Sequence, residues 1–134
     1  MLYTKEKVKK YFSQVFDIEK RLEKLKTRMD YLELQLIKIT TKNKDEIKAS
    51  IQKLEKEITQ EKSRLLEIEM MVFTSSQGTP PLHAALMKWR YICRFGWPII
   101  SKKSSYSIAH LMREHNKALE NIAYSYSFNL LEER

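Results

Sequence analysis

The first half of the chain carries two long hydrophobic repeats that advance in steps of three and four. One repeat covers residues 8–39 and the other covers residues 47–72. This spacing is the seam of a coiled coil, and Thr4 stands before the first repeat as a helix cap. A short loop between two long helices favours antiparallel neighbours. We therefore expect a helical hairpin with helices at about 4–40 and 44–73.

The first helix has more apolar side chains than one partner helix can cover. An amphipathic helix in a hairpin needs a single apolar stripe, and a third body should therefore cover the excess. Either the C-terminal part of the chain or a second copy would serve, and the simpler expectation is a homodimer with a four-helix arrangement. The predicted oligomerisation residues are Phe12, Phe16, Tyr31, Leu34 and Ile37.

A break in the pattern separates the hairpin from the rest of the chain. The segment 74–81 reads TSSQGTPP and combines Gly78 with two prolines, which interrupt helices and initiate new ones. We take it as a linker between a hairpin domain at 1–73 and a second unit at 82–134.

The second unit has the spacing of a helix-turn-helix. A helix is expected from about Leu82 to Arg94, a short one from Trp97 to Lys103, and a longer one from Ile108 to Ala123. The serine-rich stretch 104–107 forms the turn. The fold class is therefore all-α, a long antiparallel coiled-coil-like hairpin followed by a small three-helix unit that contains a helix-turn-helix.

The last helix sorts its residues by face at 100° per residue. The side expected to pack inward holds Leu111, His115, Ala118 and Ile122. The opposite side is small, cationic or amide-bearing, which suits the major groove of DNA. Together with residues of the short helix and the turn, the predicted DNA-binding residues are Lys102, Lys103, Ser107, Ala109, His110, Arg113, Asn116 and Lys117.

Charge supports a polyanionic partner. The 134 residues carry a formal net charge of +8, and the excess is densest over residues 88–117, where seven lysines or arginines face the single acid Glu114. We expect double-stranded DNA as the binding partner. RNA polymerase or another host protein is a second candidate partner.

Enzyme chemistry is not expected. With two glycines there is no phosphate-cradling loop, and the three histidines lack metal-ligand spacing. We therefore predict no catalytic residues, no metal and no cofactor. The lone Cys93 should be a buried structural thiol in a reducing compartment. Because neither a signal peptide nor an apolar stretch of membrane-spanning length is present, we expect no membrane association and a location in the cytoplasm of a host bacterial cell.

The C-terminal residues also resemble a known family. Arg90-Tyr91-Ile92, Trp97, Ile100, Tyr106-Ser107, His115 and Ala118-Leu119 are similar to the C-terminal part of small phage-encoded proteins related to the ArpU and RinA late transcription activators. The resemblance covers about 35 residues and implies a helix-turn-helix like the sigma-factor unit that reads the −35 promoter element. The chain departs from that pattern at Pro98, Ser101, Ser104 and Ser105.

Two functions follow from these patterns. The first is a phage or prophage DNA-binding transcription regulator, with the hairpin used for oligomerisation or partner binding. The alternative is a phage-encoded protein-binding antagonist, such as an anti-repressor or an inhibitor of a host defence nuclease, built on a degenerate helix-turn-helix. The serine substitutions in the short helix and turn favour the alternative.

Overall fold

The described residues form helices joined by short turns, which confirms the predicted fold class. A computed structural model describes residues 4–38 and 43–125, and within these ranges there is no strand. The two long helices pack closely as a hairpin and smaller helices follow. The helices are α1 (Lys5–Lys38), α2 (Lys44–Ser76), α3 (Pro81–Met87), α4 (Trp97–Ser104) and α5 (Ile108–Ser125), with a π-helical turn at Lys88–Ile92 between α3 and α4.

Local signals define the ends of the hairpin helices. The hydroxyl of Thr4 accepts a hydrogen bond from the Lys7 backbone N–H at 3.3 Å, so Thr4 caps α1 as predicted. The predicted end of this helix, near residue 40, lies outside the described residues. Helix α2 begins at Lys44, where the second repeat predicts it.

Helix α2 runs three residues past its predicted end at 73. The hydroxyls of Ser75 and Ser76 both donate to the carbonyl of Val72, at 3.2 and 2.7 Å, and both serines are buried. The two bonds satisfy the buried serine hydroxyls, so the helix continues through both residues without an unpaired donor. The connection to α3 then turns at Gly78, whose φ of +78° is the left-handed conformation that favours glycine. The linker is thus shorter than the predicted 74–81.

The chain forms two compact units whose boundaries lie inside the long helices. One unit is Asp17–Leu66, and the other combines Met1–Phe16 with Glu67–Arg134. The predicted division at residues 74–81 does not coincide with them, because the start of α1 packs against the C-terminal helices. We refer to the combined unit as the terminal unit and to Asp17–Leu66 as the hairpin unit.

The hairpin unit contains the middle of the coiled-coil seam. Ile18, Met29 and Leu54 are buried there. Glu61, the polar member of the seam, lies at the edge of the interface with 18% of its side chain exposed and 3.3 Å from Arg21. Among residues 4–38 and 43–125, no helix has both the length and the apolar content needed to cross a membrane.

The terminal unit is built around one aliphatic residue from each of its three small helices. Leu86, Ile100 and Leu111 are fully buried together. The half-buried rings of Trp89, Phe95 and Trp97 pack against this cluster.

The start of α1 closes another side of the terminal unit. Phe12 is 1% exposed, and its ring centroid lies 5.4 Å from that of Tyr91. Phe16 lies 6.1 Å from the same ring, beneath the guanidinium of Arg90. The C-terminal helices therefore cover Phe12, which leaves it unavailable to the predicted second copy, and they pack against the half-buried Phe16. Tyr31, Leu34 and Ile37 are 60%, 48% and 81% exposed.

Candidate nucleic-acid interface

The segment from α4 to α5 is a short helix, a tight turn and a longer helix. Pro98 occupies the first turn of α4, where its missing N–H costs nothing. Ser105 ends α4 in the left-handed conformation with φ of +65°, and its N–H donates to the Ser101 carbonyl at 2.9 Å. The hydroxyl of Ser107 accepts from the His110 N–H at 3.1 Å and so caps α5. Both helices lie within a residue or two of their predicted bounds.

The inner face of α5 is the one that the sequence predicts. Leu111, His115, Ala118 and Ile122 are at most 3% exposed. The longer buried stripe also includes Leu119 and Ala123. This burial fixes which side of α5 turns to solvent.

His115 is a hydrogen-bonded core residue. Its Nε2 lies 2.7 Å from the hydroxyl of Tyr91, and its ring stacks on the Tyr91 ring and meets Trp97 edge-on. Burial, followed by the positive charges of Lys9 and Arg90, lowers the pKa of His115 to about 4. The imidazole is therefore neutral at neutral pH, and we assign the Tyr91 hydroxyl as donor to Nε2. Burial likewise raises the pKa of Tyr91 to about 12.

The outer face of α5 and its flanking turn are accessible in the chain. Seven of the eight predicted DNA-binding residues are exposed: Lys102, Lys103, Ser107, Ala109, Arg113, Asn116 and Lys117. The eighth, His110, is half-buried, because its ring packs against Tyr106 with centroids 4.7 Å apart. The ammonium of Lys103 lies 5.1 Å from the centroid of the Phe95 ring. Lysines from α4 and polar residues from α5 thus belong to one helix-turn-helix.

Among the residues that the structure describes, Lys117 is the one predicted contact with an anionic partner. Its ammonium lies 3.0 Å from Oε2 of Glu114, one turn earlier on α5. The other carboxylate oxygen, Oε1, lies 3.2 Å from Nε2 of His83 on α3. Hydrogen bonds from Lys117 and then from His83 lower the pKa of Glu114, so this side chain remains a carboxylate.

Sequence reasoning missed several residues beside the predicted contacts. The spacing of Glu114 and Lys117 was a visible signal for an ion pair, whereas the partnership with His83, 31 residues away, had none. Tyr106, which is 46% exposed, also lies beside the predicted surface. The expectation for Cys93 was wrong, because this thiol is exposed. It follows the π-helical turn, whose backbone bond joins the Cys93 N–H to the Lys88 carbonyl.

The described part of the chain contains no cluster of three or more His, Cys, Asp or Glu side chains that could hold a metal ion. In comparisons with known proteins, no family model, no curated protein and no solved structure matches the chain.

Proposed function

We propose that the chain is a DNA-binding transcription regulator of the phage or prophage kind, with α4 and α5 as its helix-turn-helix. One observation supports this most: the buried stripe of α5 turns its cationic and amide side chains outward, where Ala109, Arg113 and Asn116 are exposed. A major-groove helix needs an exposed face of this composition. The phage setting rests on the sequence resemblance.

In this proposal α5 enters the major groove with its first turns against the bases. Arg113 suits the paired acceptors of guanine and Asn116 suits adenine, while the methyl group of Ala109 suits thymine. Lys102 and Lys103 contact the phosphate backbone. The Ser107 hydroxyl accepts the helix-capping bond and still has its own proton to donate to a phosphate.

The salt dependence of binding tests the phosphate contacts. On a generic duplex that lacks the preferred sequence, Arg113 contacts a phosphate in place of guanine. Lys102, Lys103 and Arg113 then each neutralise one phosphate, and the logarithmic salt slope is about −2.7, a loss of about 40-fold between 50 and 200 mM salt. Fluorescence anisotropy with labelled duplexes measures this slope. Duplexes selected from a library with a randomised segment then supply the preferred sequence.

Variants of Asn116 and Arg113, on the exposed face of α5, should separate recognition of the DNA sequence from non-specific electrostatic attraction. We expect Asn116→Ala to weaken the selected duplex by about 10-fold and a scrambled one little, since a bidentate base contact is worth about 1–3 kcal/mol. Arg113→Ala should weaken binding, whereas Arg28→Ala, which removes an exposed arginine from the hairpin unit, should not. If Arg113→Ala and Arg28→Ala have equal effects, Arg113 makes no specific contact with DNA and the proposed DNA-binding face of α5 is wrong.

We also propose that the chain acts as a homodimer, because a single helix-turn-helix binds DNA weakly. Tyr31, Leu34 and Ile37 remain exposed on α1 and are the pairing residues in this proposal. Mass measurement in solution tests it: Leu34→Ser with Ile37→Ser should convert a dimer to a monomer without loss of helix content. A wild-type chain that is monomeric at micromolar concentration would contradict the dimer.

A protein partner is the second candidate. Ile99, Tyr106 and Ile108, in α4, the turn and the start of α5, are 49%, 46% and 42% exposed. Large apolar side chains in such positions favour protein contacts over phosphate contacts. If a host protein is the target, Ile108→Ser should abolish a stoichiometric complex that survives nuclease treatment, while Arg113→Ala should leave it intact.

A further inference from the structure

Glu114 lies between the buried and exposed faces of α5, and both of its carboxylate oxygens are engaged. Oε1 meets His83 at 3.2 Å and Oε2 meets Lys117 at 3.0 Å. The His83 side chain is 8% exposed, that of Glu114 18%, and that of Lys117 65%. These three side chains therefore connect the interior of the terminal unit to the exposed face of α5 that carries Arg113 and Asn116, here called the cationic face.

We propose that Glu114 is a positioning residue of this surface, which holds the Lys117 ammonium in place and offsets its charge so that Lys117 is not an independent phosphate contact. The inference rests on the proposed DNA-binding function. It assigns the single acid among residues 88–117 a role that the sequence did not indicate.

The geometry disfavours a direct base contact by Glu114. A glutamate on a recognition helix can accept a hydrogen bond from the amino group of cytosine. Here each carboxylate oxygen already has a partner, so a cytosine amino group would have to share an oxygen with the buried His83 or with Lys117. The carboxylate is thus better placed to orient Lys117 than to read DNA.

The same geometry makes this ion pair firmer than a typical surface pair. Exposed pairs are weak largely because two long side chains must both be ordered. His83 already fixes Glu114, so only Lys117 loses freedom when the pair forms. An ammonium carries three N–H donors, and Glu114 engages one of them. Lys117 can still donate to a phosphate, but the adjacent carboxylate offsets most of the attraction.

A measurable consequence follows for the number of counterions released. While Glu114 offsets the charge of Lys117, three cations contact phosphates and the salt slope is about −2.7. If Lys117 is released from Glu114 and contacts a fourth phosphate, the slope is about −3.6. Glu114→Gln keeps the size of the side chain and a carbonyl that can accept from His83, and it removes the charge. The loss of affinity between 50 and 200 mM salt should then rise from about 40-fold to about 150-fold.

The test is a salt series of anisotropy titrations on one generic duplex. The proteins are the wild type, Glu114→Gln, Lys117→Ala and the double variant. When combined with Glu114→Gln, Lys117→Ala should reduce the magnitude of the slope by about 0.9, from about 3.6 to about 2.7. In the otherwise wild-type chain, Lys117→Ala should leave the slope nearly unchanged. Circular dichroism verifies that each variant is folded.

Glu120→Gln is the matched control. Glu120 is an exposed acid on the same helix that pairs with Lys5 at 3.4 Å, so its replacement makes the same change of charge and releases a different lysine. Its salt slope should stay at the wild-type value. If Glu120→Gln steepens the slope as much as Glu114→Gln, or if Lys117→Ala lowers it equally with and without Glu114→Gln, the positioning role is overturned while DNA binding stands. A wild-type chain with no salt-dependent binding to any duplex would overturn the proposed function as well.

Discussion

Acidification should destabilise the fold through His115, and the size of the effect follows from its surroundings. Burial, with the charges of Lys9 and Arg90, lowers the pKa of this histidine from 6.5 to about 4. Each pKa unit corresponds to about 1.4 kcal/mol. The folded chain therefore favours the neutral imidazole over the protonated one by about 3 kcal/mol relative to the unfolded chain.

The direction of the effect follows from proton binding. Between pH 6.5 and about 4 the unfolded chain protonates this histidine and the folded chain does not. The contribution of the neutral histidine to the free energy of unfolding should therefore be fully present above pH 6.5. It should fall as the pH is lowered through this window, and about 3 kcal/mol should be lost below pH 4. Urea unfolding, followed by the helical circular dichroism signal at a series of pH values, gives the free energy of unfolding at each.

Other groups also titrate in this range, so variants must isolate the histidine. His115→Gln should have lower stability at neutral pH but a shallower dependence on pH, and the difference from the wild type should shrink by about 3 kcal/mol between pH 7 and 4. Identical pH dependence in the wild type and His115→Gln would refute the reasoning.

Three further substitutions and one exposed control test the packing and the turn by urea unfolding. Ser105→Gly should raise the free energy of unfolding by about 1 kcal/mol, because glycine adopts the left-handed conformation at φ +65° without strain. Leu111→Ala should lower it by about 2–5 kcal/mol, because this side chain is 0% exposed in the core cluster. Phe12→Ala should lower it by about 3–5 kcal/mol without changing the mass in solution, whereas Ile37→Ala, at 81% exposure, should leave it within about 0.5 kcal/mol.

Each of these substitutions has a contrary outcome. A loss of stability in Ser105→Gly would mean that the serine is not strained. A cost below about 1 kcal/mol for Leu111→Ala would place it outside the core. A lower mass in solution for Phe12→Ala than for the wild type would indicate that Phe12 contacts a second copy, contrary to its burial within one chain.

The helix-turn-helix was predictable because its signals are local. Pro98 marks the start of α4 and Ser107 caps α5. The step of 100° per residue then separates the two faces of α5, which is why the burial of His115 follows from the sequence. Features fixed within one helical turn need no knowledge of the rest of the chain.

What the sequence could not identify depends on residues that are distant along the chain. The periodicity of α1 indicates that Phe12 needs a covering surface, but not that Tyr91 supplies it. His83 and Glu114 are likewise brought together only by the packing of α3 on α5. The π-helical turn at Lys88–Ile92 shifts the backbone bonding by one residue without a proline or glycine to mark it.

The buried pair of His115 and Tyr91 links the stability of the terminal unit to the orientation of its cationic face. A helix packed only through aliphatic side chains can rotate slightly at little cost, whereas a hydrogen bond of 2.7 Å between buried rings holds α5 at one angle. Rotation by one residue, about 100°, would carry the exposed Asn116 toward the interior and leave the Tyr91 hydroxyl without its partner. The buried histidine through which acid should destabilise the fold therefore also keeps Arg113 and Asn116 directed toward solvent, where DNA binding would require them.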